Sequence, residues 1–206
     1  MSPRATLIVF VKEPQPGRVK TRLARDIGRV GAAWWFRHQS MRLIRRLSAD
    51  HRWRLLLAVS PDTAGMASRV WPAGIPRLPQ GRGDLGRRML GALAAPGPGP
   101  VAVIGSDIPG IDASAVARAF EALRGGDAVL GPAPDGGFWL IGRAAGQRLP
   151  LRLLDGVAWS TERAMAETEA RLTRAGRRVV HAQTLADVDT LSDLRRLGLP
   201  APTPGG

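Results

Sequence analysis

Residues 5–11 form a continuous β-favouring run, apolar but for Thr6, that stops at Lys12, where a loop rich in proline and glycine leads into a long helical pattern. A run without polar alternation reads as a strand covered on both faces, and such strands belong to sheets with helices on either side. This one unit points to a layered α/β fold with the first strand near its centre.

The same alternation continues along the chain. Over residues 21–49, Leu23, Ile27, Val30, Trp34, Met41, Ile44 and Leu47 recur at roughly helical spacing, with a break expected near Gly28 and Gly31. Trp34 and Trp35 read as core. Strands are expected at 53–59, 75–78, 101–104, 128–131, 138–141 and 178–182. Helical pieces are expected at 64–70 and 83–95, from an Asp112 cap to Leu123, over 160–175, and from Thr190 onward. The Pro-Gly repeat at 95–100 is a rigid turn, because the next strand begins at once. Strands alternating with helices predict a mainly parallel, helix-flanked three-layer sandwich, as one domain over 1–199 with a frayed Pro/Gly-rich tail at 200–206.

Composition bounds the function. With 44% hydrophobic and 23% charged residues, a chain of 206 residues can bury about 70% of its unfolded surface in one core. The formal net charge of +13 is the one extreme value. It suits a phosphorylated ligand, but all the basic residues except Lys12 and Lys20 are arginine and the chain lacks Asn and Tyr, a pattern that coding bias also produces. The Arg42, Arg45, Arg46 and Arg171, Arg174, Arg177, Arg178 clusters read as solvated helix faces. They lack the interleaved aromatics of a nucleic-acid surface. Zero cysteines exclude disulfides, thiolate metal sites and a Cys nucleophile. His38, His51 and His181 lack ligand spacing. No stretch reaches the ~20 apolar residues of a membrane span, and the 5–11 run lacks a signal-peptide pattern, so a cytoplasmic location is expected.

Five segments carry chemistry. Lys12-Glu-Pro-Gln-Pro-Gly-Arg-Val-Lys-Thr-Arg22 joins the first strand to the first helix, where helix amides and the dipole favour anions. Gly17 would let backbone approach a phosphate, and Lys12, Arg18, Lys20 and Arg22 offer charge-assisted donors. The alternative is a solvated surface turn. Gly17 to Thr21 superficially resembles a Walker A loop, but Val19 stands where glycine is required, and no dinucleotide-binding glycine fingerprint occurs. Asp107, just past the 101–104 strand, is placed either to hold a divalent cation with phosphate oxygens or to cap the following turn. Asp135 with Gly136 and Gly137 is either a substrate-facing turn or an ordinary hairpin signal, and Trp139 beside it reads as core. Ser160 or Thr161, after Trp159, reads as the N-cap of a long helix, and Asp187 and Asp189 either complete a metal site or cap the last helix.

Six motifs in order resemble one family: Phe10-x-Lys-x-Pro-x-Pro-Gly-x-Val-Lys-Thr-Arg-Leu23, Gly83-Asp-Leu-Gly-x-Arg-Met89, Gly105-Ser-Asp-x-Pro109, Gly131-Pro-x-x-Asp-Gly-Gly-Phe138, Trp159-Ser-Thr161 and Asp187-Val-Asp-Thr190. The chain is similar over nearly its whole length to the selenodomain-associated transferase 1 family. That is a domain family of unsettled function in the GT-A nucleotide-diphospho-sugar transferase superfamily, related to 2-phospholactate guanylyltransferase.

The resemblance implies a GT-A-like Rossmannoid fold and a metal-dependent transferase with Mg²⁺ or Mn²⁺ at Asp107. It points to Asp189 as second ligand, with Asp187 as substitute. Nucleotide and phosphate contacts fall to Lys12, Gly17, Arg18, Lys20, Arg22 and Asp84, and substrate contacts to Asp135, Gly136, Gly137, Trp159, Ser160 and Thr161. Asp107, Lys20 and Asp135 are the catalytic candidates. The implied reaction is glycosyl transfer from a nucleotide sugar to a small acceptor. A nucleotidyltransferase joining a nucleoside triphosphate to a phosphorylated metabolite is the alternative, since Ser106-Asp107-Ile108-Pro109 stands where sugar transferases carry Asp-x-Asp. A basic nucleotide- or nucleic-acid-binding module is the non-enzyme alternative.

Overall fold

The computed structural model describes residues 4–186, 188–196 and 198. Asp187 and the tail at 200–206 lie outside the described residues. Among the described residues seven strands form one mixed sheet: β1 (Ala5–Lys12), β2 (Trp53–Ser60), β3 (Arg77–Pro79), β4 (Val101–Ile104), β5 (Ala128–Pro132), β6 (Phe138–Arg143) and β7 (Val179–His181). Their order is β3-β2-β1-β4-β6-β5-β7, and every neighbouring pair is parallel except the two that involve β6. The reversal of β6 follows from the short turn after β5, which leaves no room for a crossover.

Helices cover both faces, so the three-layer expectation holds. Leu7, Val9 and Val11 of β1 join one core with α1 (Leu23–Ser48) and α4 (Ala113–Ala122). Ile8 joins the opposite core with α3 (Leu85–Ala94) and with Leu172 of α5 (Ala164–Arg174). Successive strand residues point to opposite faces, so a central strand must be apolar on both, as β1 is from Leu7 to Val11. The remaining helices are α2 (Asp62–Ala67) and α6 (Leu191–Arg196).

Some expectations are corrected. The break in α1 is at Gly28, which adopts φ 76°, ψ 160°, while Gly31 stays helical. Trp35 is core, but Trp34 is 52% exposed and lies against His38 with ring centroids 3.8 Å apart. The long helix starts at Ala164 rather than near 160, with Arg163 at its N-cap and no side-chain cap. Ser160 is excluded from that cap because it adopts the left-handed φ of 62°.

Arg143 ties the end of β6 to the Pro-Gly turn. Its buried guanidinium donates to the carbonyls of Leu93, Gly97, Gly99 and Ala144. Arg143→Met would strand those acceptors, and is expected to cost about 3 kcal/mol. A thermal melt should fall by roughly 6–12 °C; an unchanged melting temperature would mean that water satisfies the carbonyls instead.

Candidate functional site

β1 pairs with β2 on one side and β4 on the other. Val9 is opposite Ile104, the last residue of β4, so Phe10, Val11 and Lys12 run on past it. A crevice opens beyond the carboxyl ends of parallel strands where the strand order switches, and here β1 leads on to β2 on one side while β4 stands on its other side. Here it is a cavity of about 750 Å³.

Lys20 lies at its centre. The Lys20 side chain is only 5% exposed, and its Nζ is 2.8 Å from Asp107 Oδ2 and 2.8 Å from Asp189 Oδ1. Burial pulls the pKa of this ammonium down, but the charges of Asp107 and Asp189 and their hydrogen bonds outweigh it, leaving the pKa above its ordinary value. Lys20 also adopts a left-handed φ of 46°, which for a residue with a Cβ costs roughly 1–2 kcal/mol. Such strain persists only where surroundings impose it, and it clusters at functional sites. The neighbouring Thr21 and Arg22 amides have no acceptor among the described residues, leaving donors free beside the cavity.

Asp189 is aimed by the start of α6. The Asp193 carboxylate accepts hydrogen bonds from the Asp189 and Thr190 amides at 3.1 and 2.8 Å, and the Asp193 amide donates back to Thr190 Oγ1. This reciprocal cap fixes the backbone beside Asp189. Burial pushes the Asp193 pKa up, but the bonds from Thr190 and Asp189 and the charge of Arg196 hold it below its ordinary value. Arg22 Nη1 closes the group at 3.1 Å from Asp189 Oδ2.

The opposite wall comes from the β5–β6 turn and the segment before α5. Asp135 Oδ1 accepts from the Gly137 amide at 3.0 Å, so the aspartate forms its own turn and leaves its second oxygen open. Trp159 meets Phe138 edge-on, with centroids 6.3 Å apart. Thr161 Oγ1 donates to the Ala158 carbonyl and accepts from the Arg163 amide.

The fold thus brings Lys12, Arg18, Lys20, Arg22, Asp107, Asp135, Gly137, Trp159, Ser160, Thr161 and Asp189 to one cavity. Three expected residues do not line it. Asp84 instead caps α3, accepting from the Arg87 amide at 2.9 Å. Gly17 faces a neighbouring cavity. Gly136 packs against the Glu162 backbone, so its missing side chain makes room for protein and not for a substrate. Trp139 is 1% exposed and donates to the Gln183 carbonyl, consistent with a core role, although it forms part of the cavity wall.

Gln80 and Glu162 also line the cleft and went unnoticed in the sequence. Gln80 Nε2 donates to the carbonyls of Val11 and Ala58, and its Oε1 accepts from Arg88. No local pattern distinguishes such a glutamine from a surface one.

Among the described residues no cluster of three or more acidic or histidine side chains offers an all-protein metal cage. Two carboxylates converging on one cation do fit a hard divalent ion that takes its other ligands from phosphates and water.

A sheet of this order, with a charged cleft at its switch point, defines a GT-A-like α/β fold. Residues 43–161 match the model of a family described as an uncharacterized protein conserved in bacteria, DUF2064, and the chain belongs to that family. The match excludes both the Lys12–Arg22 loop and Asp189. A structure from Desulfovibrio desulfuricans G20, provisionally described as a nucleotide-diphospho-sugar transferase, is 31% identical, with a TM-score of 0.83 over 96% of this chain and 87% of that one. CMP:2-keto-3-deoxy-manno-octonic acid synthetase complexed with CTP has a TM-score of 0.58 at 12% identity, covering 95% and 97%. Glucosyl-3-phosphoglycerate synthase from Mycobacterium tuberculosis, with Mn²⁺, UDP and glucosyl-3-phosphoglycerate, has a TM-score of 0.55 at 13% identity, covering 96% and 81%. The last two likenesses show the fold alone. No curated protein matches the chain. No helix among the described residues is long and apolar enough to cross a membrane.

Proposed function

We propose that the protein is a metal-dependent transferase that uses a nucleotide-activated donor, transferring a glycosyl group from a nucleotide-diphospho-sugar to a small acceptor. The observation that carries this reading is Lys20 clasped between Asp107 and Asp189 on the floor of the cleft, with Lys12, Arg18 and Arg22 lining it. That arrangement provides two carboxylates for a Mg²⁺ or Mn²⁺ ion and four cations for its phosphates. The 31% identity to the Desulfovibrio structure supports the donor class.

Asp107 and Asp189 would hold the metal, which supplies charge neutralisation at the diphosphate leaving group. Lys20, released from the carboxylates, donates to phosphate oxygens, and Arg18 and Arg22 share the load. The open oxygen of Asp135 accepts the acceptor's proton as its oxygen bonds to the anomeric carbon. The bond from that carbon to the phosphate oxygen breaks, and nucleoside diphosphate departs. Ser160 and Thr161, with Trp159, shape the acceptor side.

One observation favours a second reading. The β4 end carries the single carboxylate Asp107, flanked by buried Ser106 and Ile108, with no Asp-x-Asp pair. Nucleotidyl transfer needs no base for a phosphate acceptor: its oxygen attacks the α-phosphorus of a nucleoside triphosphate, and pyrophosphate leaves. Mass analysis of products from nucleotide sugars and nucleoside triphosphates, with acceptor pools and Mg²⁺ or Mn²⁺, separates the two. A glycosylated product with nucleoside diphosphate release is expected. A nucleotidyl adduct with pyrophosphate as the sole metal-dependent product would replace the first reading with the second.

A further inference from the structure

A second cavity, of about 700 Å³, adjoins the cleft and shares Arg18 and Thr21 with it. Its other charged residues are Arg25 and Arg29, and among the described residues no carboxylate lines it. None of the three arginines forms an ion pair among the described residues, whereas Arg22, on the cleft side of the same loop, is matched by Asp189.

The backbone is arranged to bring these charges together. Gly28 breaks α1 between Arg25 and Arg29, yet both side chains line the one cavity. Arg29 lies across the loop at Gly17, with its Cδ 3.4 Å and its Nε 3.9 Å from where a Cβ would stand. Gly17 adopts φ +78° there. A side chain at Gly17 would start in ordinary contact with Arg29, so it is the positive φ of the turn that calls for glycine. Three guanidinium groups around a concavity without a counter-charge repel one another, and a bound oxyanion removes that repulsion while accepting their forked donors.

We infer that this annex, formed by Arg18, Arg25 and Arg29, holds the phosphate of a phosphorylated acceptor. The acceptor role rests on the proposed function. The donor's phosphates belong at Lys20 and Arg22, Arg18 stands between the two anions, and a reactant anchored in the annex reaches the cleft past Arg18 and Thr21, which line both. Three unmatched positive charges suit a phosphate dianion better than a singly charged carboxylate.

The test is calorimetric titration of the full-length protein at constant ionic strength, with inorganic phosphate and acetate as probes. Circular dichroism checks the fold of each variant. Arg25→Gln/Arg29→Gln is expected to weaken phosphate binding at least tenfold. Arg42→Gln/Arg46→Gln, with the same charge change away from both cavities, should leave it within twofold. Acetate should bind at least tenfold more weakly than phosphate. Binding of nucleoside diphosphate with Mg²⁺ should survive Arg25→Gln/Arg29→Gln. Unchanged phosphate affinity in that variant, an equal loss in the control pair, or acetate binding as well as phosphate would overturn the phosphate site. A parallel loss of nucleotide binding would assign the arginines to the donor and overturn the acceptor role. Phosphate binding through Arg25 and Arg29 by a protein that binds no nucleotide would support the annex and overturn the donor reading alone.

Discussion

Replacing Lys20 with methionine is expected to weaken binding of a magnesium-bound nucleotide about 10- to 100-fold and to strengthen binding of the bare cation. The two effects have opposite signs because, in the proposed reading, one ammonium would serve two partners in turn. Its Nζ touches Asp107 and Asp189 at 2.8 Å each. In the proposed reading Asp107 and Asp189 would hold the metal in place of the ammonium, which would then donate to the phosphates. Removing it abolishes a charge-assisted hydrogen bond of roughly 1.5–3 kcal/mol to phosphate, which is the affinity loss just stated. It also leaves two carboxylates facing each other with one counter-charge fewer, and this raises their demand for a divalent ion. Methionine keeps most of the volume of a side chain that is only 5% exposed, so the fold should survive.

Asp107→Asn provides the contrast. It removes one metal ligand while leaving Lys20 with Asp189, so binding of bare cation and of nucleotide should both fall. Mn²⁺ binding followed by electron paramagnetic resonance, together with nucleotide calorimetry, reads all four changes. If Lys20→Met and Asp107→Asn shifted cation affinity in the same direction, the shared-site model would be wrong.

How far this arrangement could be read from sequence depends on the range of the interactions involved. β1 was visible because full burial on both faces leaves an unbroken apolar run, a local signature. Asp107 was visible as a carboxylate just beyond such a run. The link between Lys20 and Asp189 spans 169 residues, and no local pattern encodes it; motif order pointed to Asp189 only by resemblance. Trp34 was misassigned because helical spacing predicts which side chains share a face, not whether a neighbour covers that face. The Gly28 break was anticipated, but that Arg25 and Arg29 line one cavity across it depends on backbone direction after the break. Ser160 and Thr161 carry the composition of a helix cap, and the left-handed turn at Ser160 instead delays α5 and places both residues in the cleft wall.

Gly136→Ala is expected to cost about 4 kcal/mol or more and to disable the acceptor side of the cleft. Gly136 adopts φ +81°, and a Cβ there would stand 2.5 Å from the carbonyl carbon and Cα of Glu162, and closer still to its oxygen. Backbone cannot yield as a flexible side chain does, so the whole 160–162 segment would have to lift. Gly136 also accepts the Met165 amide at 3.0 Å, which docks the first turn of α5 onto the β5–β6 turn. Separating the two would move Ser160, Thr161 and Glu162 away from Asp135 while leaving Asp107, Lys20 and Asp189 in place. Gly146→Ala isolates the contribution of the contact: its φ is +73°, but nothing lies within 4 Å of the added carbon, so only the left-handed penalty of about 1–2 kcal/mol applies. Chemical denaturation of the two variants, with turnover measured where folding persists, should show a large gap in stability and loss of activity only for Gly136→Ala. Equal costs at the two positions would mean that the 160–162 segment is not held by this contact, and that the cleft wall owes its position to Trp159 and α5 instead.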